Sequence, residues 1–104
     1  MTRNGGYRVI AEFSIHPIGE GTGVSKYVKA ALAELKESKK LRLQVTPMAT
    51  VLEAPRLSDI LAAVEAAHEA VFRAGAKRVD FILRVDDRRD KRRRMEDKVD
   101  VVSR

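Results

Sequence analysis

The sequence lacks cysteine and tryptophan, and aromatic residues make up only 5% of its 104 residues. The absence of cysteine excludes disulfide bonds, thiolate nucleophiles and zinc sites built on cysteine. No window approaches the run of about 18 apolar residues that a transmembrane helix requires, so no such helix is predicted. The residues after Met1 also lack the apolar segment that precedes the cleavage site of a signal peptide. We therefore expect a cytoplasmic protein with an aliphatic core.

The length and charge indicate a single small domain. A chain of 104 residues is long enough for one hydrophobic core and too short for two. The formal net charge is +6, and residues 84–98 contain eight basic and five acidic side chains, a surplus of three. Half of the net charge therefore belongs to this segment. We predict one domain over residues 1–104, with its core at about 7–87 and a charged C-terminal arm at about 88–104.

Hydrophobic periodicity predicts four strands and two helices. Alternation of apolar and polar residues is typical of half-buried strands, whereas apolar residues at i, i+3, i+4 and i+7 indicate amphipathic helices. The alternating segments are 7–15, 41–46, 49–54 and 77–87, and the helical segments are 24–35 and 57–72. Pro47 favours the second position of a turn between the two middle strands. Gly75 is suited to the left-handed residue that ends the second helix.

The order β-α-β-β-α-β favours an α+β, ferredoxin-like sandwich. Right-handed crossovers place two helices on one face of a four-stranded antiparallel sheet. We place Glu53 on the other face, because burying an unpaired carboxylate beneath the helices is costly. Ile10 and Ile82 would leave apolar surface on that helix-free face. The face is therefore expected to be solvated, to pair with another subunit or to bind a ligand.

The glycine-rich loop after the first strand does not match a phosphate-binding loop. In "PIGEGTGVS" the last glycine is followed by valine and serine, where the Walker motif requires lysine and then serine or threonine. The G-x-G-x-x-G pattern is also missing, and Glu20 would repel phosphate, so we interpret the segment as a flexible turn. His16 and His68 have no partners at metal-ligand spacing. Ser25 has no general base, so no metal site and no catalytic residue are predicted.

Three segments carry a resemblance to a known family. They are "SIHPIGEGTGVSKYV", "VTPMATVLEA" ahead of a helix that contains "AAHEA", and "RVDDRRDKRRRMEDKV". Over about residues 8–102 the chain resembles the small thiamine-binding protein family of the YkoF-like superfamily, formerly an uncharacterised protein family. The resemblance implies a ferredoxin-like fold and a homotetramer, a dimer of dimers in which sheet faces join subunits. It also implies binding of thiamine or its pyrimidine moiety, without catalysis.

The chemistry of such a ligand selects candidate residues on and near the helix-free face. A carboxylate facing an aminopyrimidine makes charge-assisted hydrogen bonds, hydroxyl groups orient the ring, and a methionine forms a polarizable wall. The candidate ligand-binding residues are Glu53, Glu12, Ser14, Thr46, Met48 and Thr50. An alternative role for Glu53 is an ion pair with Arg42 or Arg84 across a subunit boundary. His68, on the apolar stripe of the second helix, is interpreted as a core residue.

We predict a non-enzymatic protein that binds thiamine or a hydroxymethylpyrimidine-like ligand at or near the subunit interfaces of a homo-oligomer. No cofactor is required, and no membrane partner is expected. One alternative is nucleic-acid binding through the basic arm, since RNA-recognition modules share the ferredoxin-like frame. Phe81 is the only aromatic residue of the last strand and has inward parity, so the stacking platform is missing and this alternative is not favoured. A structural or regulatory oligomer is the other alternative.

Overall fold

The computed structural model describes residues 8–92 and 94–103 and has the predicted order of four strands and two helices, followed by a short helix in the charged C-terminal segment. The elements are β1 (Val9–Pro17), α1 (Ser25–Glu37), β2 (Arg42–Val45), β3 (Thr50–Ala54), α2 (Leu57–Arg73), β4 (Val79–Asp87) and α3 (Met95–Ser103). All strand pairs are antiparallel, and the order in the sheet is β2-β3-β1-β4. This arrangement confirms the α+β fold of ferredoxin-like topology.

The core lies between one face of the sheet and the two helices α1 and α2. Val9, Ala11 and Phe13 alternate along β1 and are buried, as period-two patterning predicts. Leu52 of β3 and Ile60 of α2 are fully buried in the same cluster. Burial of aliphatic side chains at about 25 cal/mol per Å² is the main stabilising contribution of such a core.

The crossover between β1 and α1 is the glycine-rich loop. Gly19 and Gly21 have positive φ angles of 87° and 74°, which glycine adopts without steric cost. The loop is held at both ends, because the Ile18 N–H donates to the Arg78 carbonyl at 2.8 Å and the Tyr27 hydroxyl donates to Glu20 Oε1 at 2.8 Å. The hydrogen bond to Glu20 raises the pKa of Tyr27. Glu20 therefore anchors the loop to α1.

The charged C-terminal segment contains α3, which packs on the sheet of its own chain. Met95 is buried, and its backbone N–H donates to Glu53 Oε1 at 2.9 Å. Farther along the helix, Lys98 pairs with Asp86 of β4. The segment predicted as an arm thus covers part of the sheet face opposite α1 and α2. Ile10 of that face is buried, contrary to the expectation that it would be uncovered, whereas Ile82 remains 63% exposed.

Candidate ligand-binding site

A pocket of about 340 Å³ lies between α1 and the turn that joins β2 to β3. We call it the α1–turn pocket, and its size falls within the range of roughly 300–1,000 Å³ that is usual for small-molecule sites. It is lined by Phe13, Ser14, Ile15, His16, Val24, Val28, Ala31, Leu32, Leu35, Val45, Thr46, Pro47, Met48, Ala49 and Thr50. Most of these side chains are apolar, and none is a carboxylate, a lysine or an arginine.

The apolar wall of the pocket is one stripe of α1. Val24 directly precedes α1 as its N-cap, and Val28, Ala31 and Leu32 follow it at helical spacing, so the three helical side chains project on one side of α1. Ala31 is small and buried, and leaves room where a longer side chain would fill the space. The sequence shows this stripe, but helical periodicity by itself predicts that every residue of the stripe is buried in the core, so it does not reveal a pocket.

The floor of the pocket is a part of β1 that extends past the end of β3. The last β1–β3 pair is Phe13–Thr50, whereas β1 continues beside β4 as far as Pro17. Residues 14–16 therefore have a paired strand on one side only. Successive residues of a strand direct their peptide groups to alternate sides, so at least one N–H and C=O pair of this stretch faces the pocket side. These groups offer a donor and an acceptor to a ligand.

The turn on the other side of the pocket is closed by one hydroxyl group. Thr46 Oγ1 donates to the Ala49 carbonyl at 2.6 Å and accepts the Ala49 N–H at 3.1 Å, and the Thr46 N–H donates to the same carbonyl at 2.9 Å. Pro47 occupies the second turn position, as predicted. Met48 follows at the tip and is 87% exposed, so its side chain borders the pocket without being packed in the core.

The structure brings four of the six predicted ligand residues together. Ser14, Thr46, Met48 and Thr50 all line the α1–turn pocket. Thr50 lies opposite Phe13 and Val45, on the helix-covered side of the sheet. His16 also lines the pocket, although the sequence interpretation gave it no role.

Glu12 lies beside this group but outside the pocket. It lines a smaller depression of about 220 Å³ that shares Ser14 and Met48 with the pocket. Its carboxylate is half exposed, and Oε1 is 3.9 Å from Arg84 Nη1, which is a loose ion pair. Glu12 is therefore the nearest candidate acid.

Glu53 lies elsewhere and is fully buried. Its Oε2 accepts from Arg8 Nε at 2.8 Å and from Arg42 Nη1 at 2.9 Å, while Oε1 accepts the Met95 N–H. The alternative pairing with Arg42 is thus present, but within the chain, and Arg84 is not its partner. A ligand role for Glu53 stays a prediction, and in this arrangement it requires displacement of α3.

Several charged side chains of the C-terminal segment form ion pairs. Arg88 pairs with Asp90 and Arg89 with Asp87, and Lys98 lowers the pKa of its partner Asp86. Arg42 lowers the pKa of Glu96 through a bidentate contact with hydrogen bonds of 3.0 and 2.6 Å. These pairs reduce the number of cations that are free for a phosphate backbone.

His68 lies at the surface between aromatic rings. Its ring centroid is 5.0 Å from that of Phe72 and 5.8 Å from that of Phe81, in edge-to-face geometry. The residue is half-buried, so the interpretation as a core histidine holds only in part. Within residues 8–92 and 94–103, no three His, Asp or Glu side chains form a group that could hold a metal ion. In the same ranges, no helix is long and apolar enough to cross a membrane.

Comparison with known proteins identifies the family. A UPF0045 protein of Methanothermobacter thermautotrophicus is 44% identical over 95 residues, which cover 90% of this chain and 95% of that protein. The UPF0045 protein YqgV of Bacillus subtilis is 42% identical over 98 residues, with coverage of 90% and 93%. The crystal structure of hypothetical protein MJ1052 from Methanocaldococcus jannaschii superposes with a TM-score of 0.85 at 40% identity, covering 92% of this chain and 96% of that one. Residues 11–103 match the family described as "Thiamine-binding protein", and the chain therefore belongs to this family.

Proposed function

We propose that the protein binds thiamine or a related aminopyrimidine in the α1–turn pocket and releases it unchanged. Membership of a thiamine-binding family supports a small-molecule-binding role. The observation that carries the choice of site is the convergence of Ser14, Thr46, Met48 and Thr50 around an apolar slot of about 340 Å³. Homotetramer formation, with ligand sites near subunit contacts, stays a prediction.

The pocket suits the uncharged pyrimidine end of thiamine. The ring has two flat apolar faces, which fit between the α1 stripe and Met48, and a polar edge that needs donors and acceptors. That edge can be satisfied by the unpaired peptide groups of residues 14–16. Hydrogen bonds of this kind give specificity, because an analogue lacking the polar edge leaves them unmade.

The positive thiazolium end requires a different environment. No carboxylate lines the α1–turn pocket, but Glu12 lines the adjoining depression that shares Ser14 and Met48. A ligand with its pyrimidine in the pocket would extend its cationic ring towards Glu12. Shape and hydrogen bonds in the α1–turn pocket would then select the pyrimidine, and the charge of Glu12 would select the thiazolium.

The test uses isothermal titration calorimetry with thiamine and with hydroxymethylpyrimidine. Val28→Trp fills the pocket and should weaken both ligands at least tenfold, whereas Val102→Trp places the same indole on the exposed end of α3 and should leave both unchanged. Glu12→Gln should weaken thiamine while sparing the neutral pyrimidine. The chain has no tryptophan of its own, so the fluorescence of the Val28→Trp indole can be followed without background.

Three results would contradict the proposal. Absence of heat with both ligands and the wild-type protein rules out the ligand class. Equal affinities for the two tryptophan variants rule out the pocket. A chemically altered ligand, detected by mass spectrometry after incubation, rules out a purely binding role. Glu53→Gln provides a further control, since it should preserve affinity if the α1–turn pocket is the site.

A further inference from the structure

The side of β1 that faces the α1–turn pocket can be identified residue by residue. Each residue of an antiparallel strand directs its N–H and C=O to the same side, and the next residue directs them to the opposite side. The Ile18 N–H, just beyond β1, donates to the Arg78 carbonyl at 2.8 Å, and this pair continues the β1–β4 register without a break. Even-numbered residues of β1 therefore bond to β4, and odd-numbered residues face β3 or the pocket.

The turn between β2 and β3 gives the same result independently. The Thr46 N–H donates to the Ala49 carbonyl at 2.9 Å, so odd-numbered residues of β3 bond to β2 and even-numbered residues bond to β1. Thr50, the first residue of β3, thus forms a hydrogen-bonded pair with Phe13. Two residues farther along β1, the same register places Ile15 opposite position 48, which is the exposed tip of the turn. Strand β3 therefore ends before it reaches Ile15.

Ile15 is left with an N–H and a C=O that face the α1–turn pocket. In the ranges 8–92 and 94–103, no hydrogen bond joins either group to another part of the chain. The residue is half-buried and lines the cavity of about 340 Å³. A peptide group that is removed from water without a partner costs about as much free energy as a lost hydrogen bond. The donor and the acceptor thus favour an occupant that bonds to both.

We propose that Ile15 binds the ligand as a neighbouring strand would: a ring nitrogen accepts the Ile15 N–H, and an adjacent amino group donates to the Ile15 carbonyl. This inference rests on the proposed function and narrows it to one ligand class, flat heterocycles with an amino group on the carbon next to a ring nitrogen. The aminopyrimidine ring of thiamine has such an edge. The parallel N–H and C=O of one extended residue match it, because both groups point the same way.

Bonding to Ile15 also sets the plane of the ring. A ring that continues the β-ladder lies in the plane of the peptide groups, so its two faces point to α1 and to the helix-free side of the sheet. On the α1 side, the ring meets the apolar side chains of Val28, Ala31 and Leu32. On the other side, the exposed side chain of Met48 borders it. The flat faces of the ring therefore meet apolar groups while its polar edge meets the backbone.

Pro17 disfavours a peptide strand as the occupant. An added strand would bond to every second residue of β1, first to Ile15 and then to Pro17. Proline has no N–H, and its presence at a strand edge prevents such pairing. The open part of β1 thus offers one complete donor–acceptor pair, which suits a small ring rather than an extended chain.

Hydrogen exchange followed by NMR tests the contact in the wild-type chain. In the free protein, the Ile15 amide should exchange at least about tenfold faster than the amides of Ala11 and Phe13, which β3 protects. Hydroxymethylpyrimidine at about 100 times its Kd should slow exchange at Ile15 by at least about tenfold. The same compound without its amino group should bind at least about tenfold more weakly, because the Ile15 carbonyl then loses its donor.

A backbone substitution tests the same hydrogen bond from the side of the protein. An ester in place of the amide between Ser14 and Ile15 removes the Ile15 N–H and keeps every side chain. The affinity for hydroxymethylpyrimidine should fall at least about tenfold. The matched control is an ester that removes the Ser58 N–H in the first turn of α2, where no intrahelical hydrogen bond uses the donor. This control should leave the affinity unchanged.

The possible outcomes distinguish a failure at Ile15 from a failure of the proposed function. No binding of hydroxymethylpyrimidine by the wild type would overturn both. Binding that leaves exchange at Ile15 unchanged, or equal affinities of the two ester proteins, would overturn the role of Ile15 and leave the proposed function standing. Equal affinities for the compounds with and without the amino group would overturn the ligand class inferred from the Ile15 carbonyl.

Discussion

Replacement of Glu53 by glutamine tests whether the buried carboxylate stabilises the molecule. Glutamine keeps the shape and can still accept the Met95 N–H, but the charge that faces Arg8 and Arg42 is lost. Hydrogen bonds to charged groups contribute about 1.5–3 kcal/mol each, and removing one partner of a buried ion pair costs about 3–5 kcal/mol. The two arginine side chains are 21% and 41% exposed, so water compensates part of this loss. We expect the free energy of unfolding to fall by about 2–3 kcal/mol.

Glu12→Gln is the matched control, since it lies on the same sheet face with a half-exposed carboxylate. Its unfolding free energy should change by no more than about 0.5 kcal/mol. Urea titration followed by circular dichroism measures both variants, and thermal unfolding should show a difference of roughly 10–20 °C for a domain of this size. Hydrogen exchange should also be faster at the Met95 amide in Glu53→Gln. Equal stability of the two variants would refute the inference that the Glu53 cluster contributes to folding.

Three further predictions concern the pH dependence of stability, the turn after α2 and the hydrophobic core. The folded-state pKa of Asp86 lies below that of the unfolded chain because of Lys98, so the contribution of Asp86 to stability is complete above about pH 5 and is lost as the pH falls through the folded-state pKa. The free energy of unfolding measured from pH 6 to 3 should therefore fall less steeply for Asp86→Asn than for the wild type. Equal slopes would contradict this prediction. Gly75→Ala should cost about 1–2 kcal/mol in urea unfolding, because the φ angle of 117° is strained for alanine; an unchanged midpoint would show that the turn relaxes. Leu52→Ala should lower the free energy of unfolding by about 2–5 kcal/mol, whereas Leu61→Ala, at an exposed position, should lower it by no more than about 0.5 kcal/mol. Similar losses for the two variants would contradict the burial of Leu52.

Local periodicity accounts for the part of the fold that the sequence predicts. The four strands and two long helices follow from alternation and helical spacing, and β4 at Val79–Asp87 lies within the predicted segment 77–87. Gly75 does end α2 with a positive φ angle. Such features depend on neighbours a few residues apart, so one sequence is enough to predict them.

The features that sequence analysis missed depend on residues far apart in the chain. Docking of α3 requires Glu53 to contact Met95, 42 residues later in the chain. Hydrophobic periodicity gives no indication of such a contact. The cost of burying an unpaired charge predicts that Glu53 lies on the helix-free face, and it does lie on that face. Two arginines and the start of α3 then offset the cost, so the side chain is buried there. The α1–turn pocket was missed as a whole because it depends on where β3 ends relative to β1.

The Thr46–Ala49 turn has a consequence for the entropy of ligand binding in the α1–turn pocket. Since one hydroxyl already satisfies both the N–H and the carbonyl of Ala49, the backbone beside the α1–turn pocket has little conformational freedom left to lose. A molecule that enters immobilises mainly the Met48 side chain, an entropic penalty of about 0.5–1.5 kcal/mol. The α1–turn pocket is thus preorganised. Differences in affinity among ligands should therefore reflect the shape and polarity of each ligand rather than rearrangement of the protein.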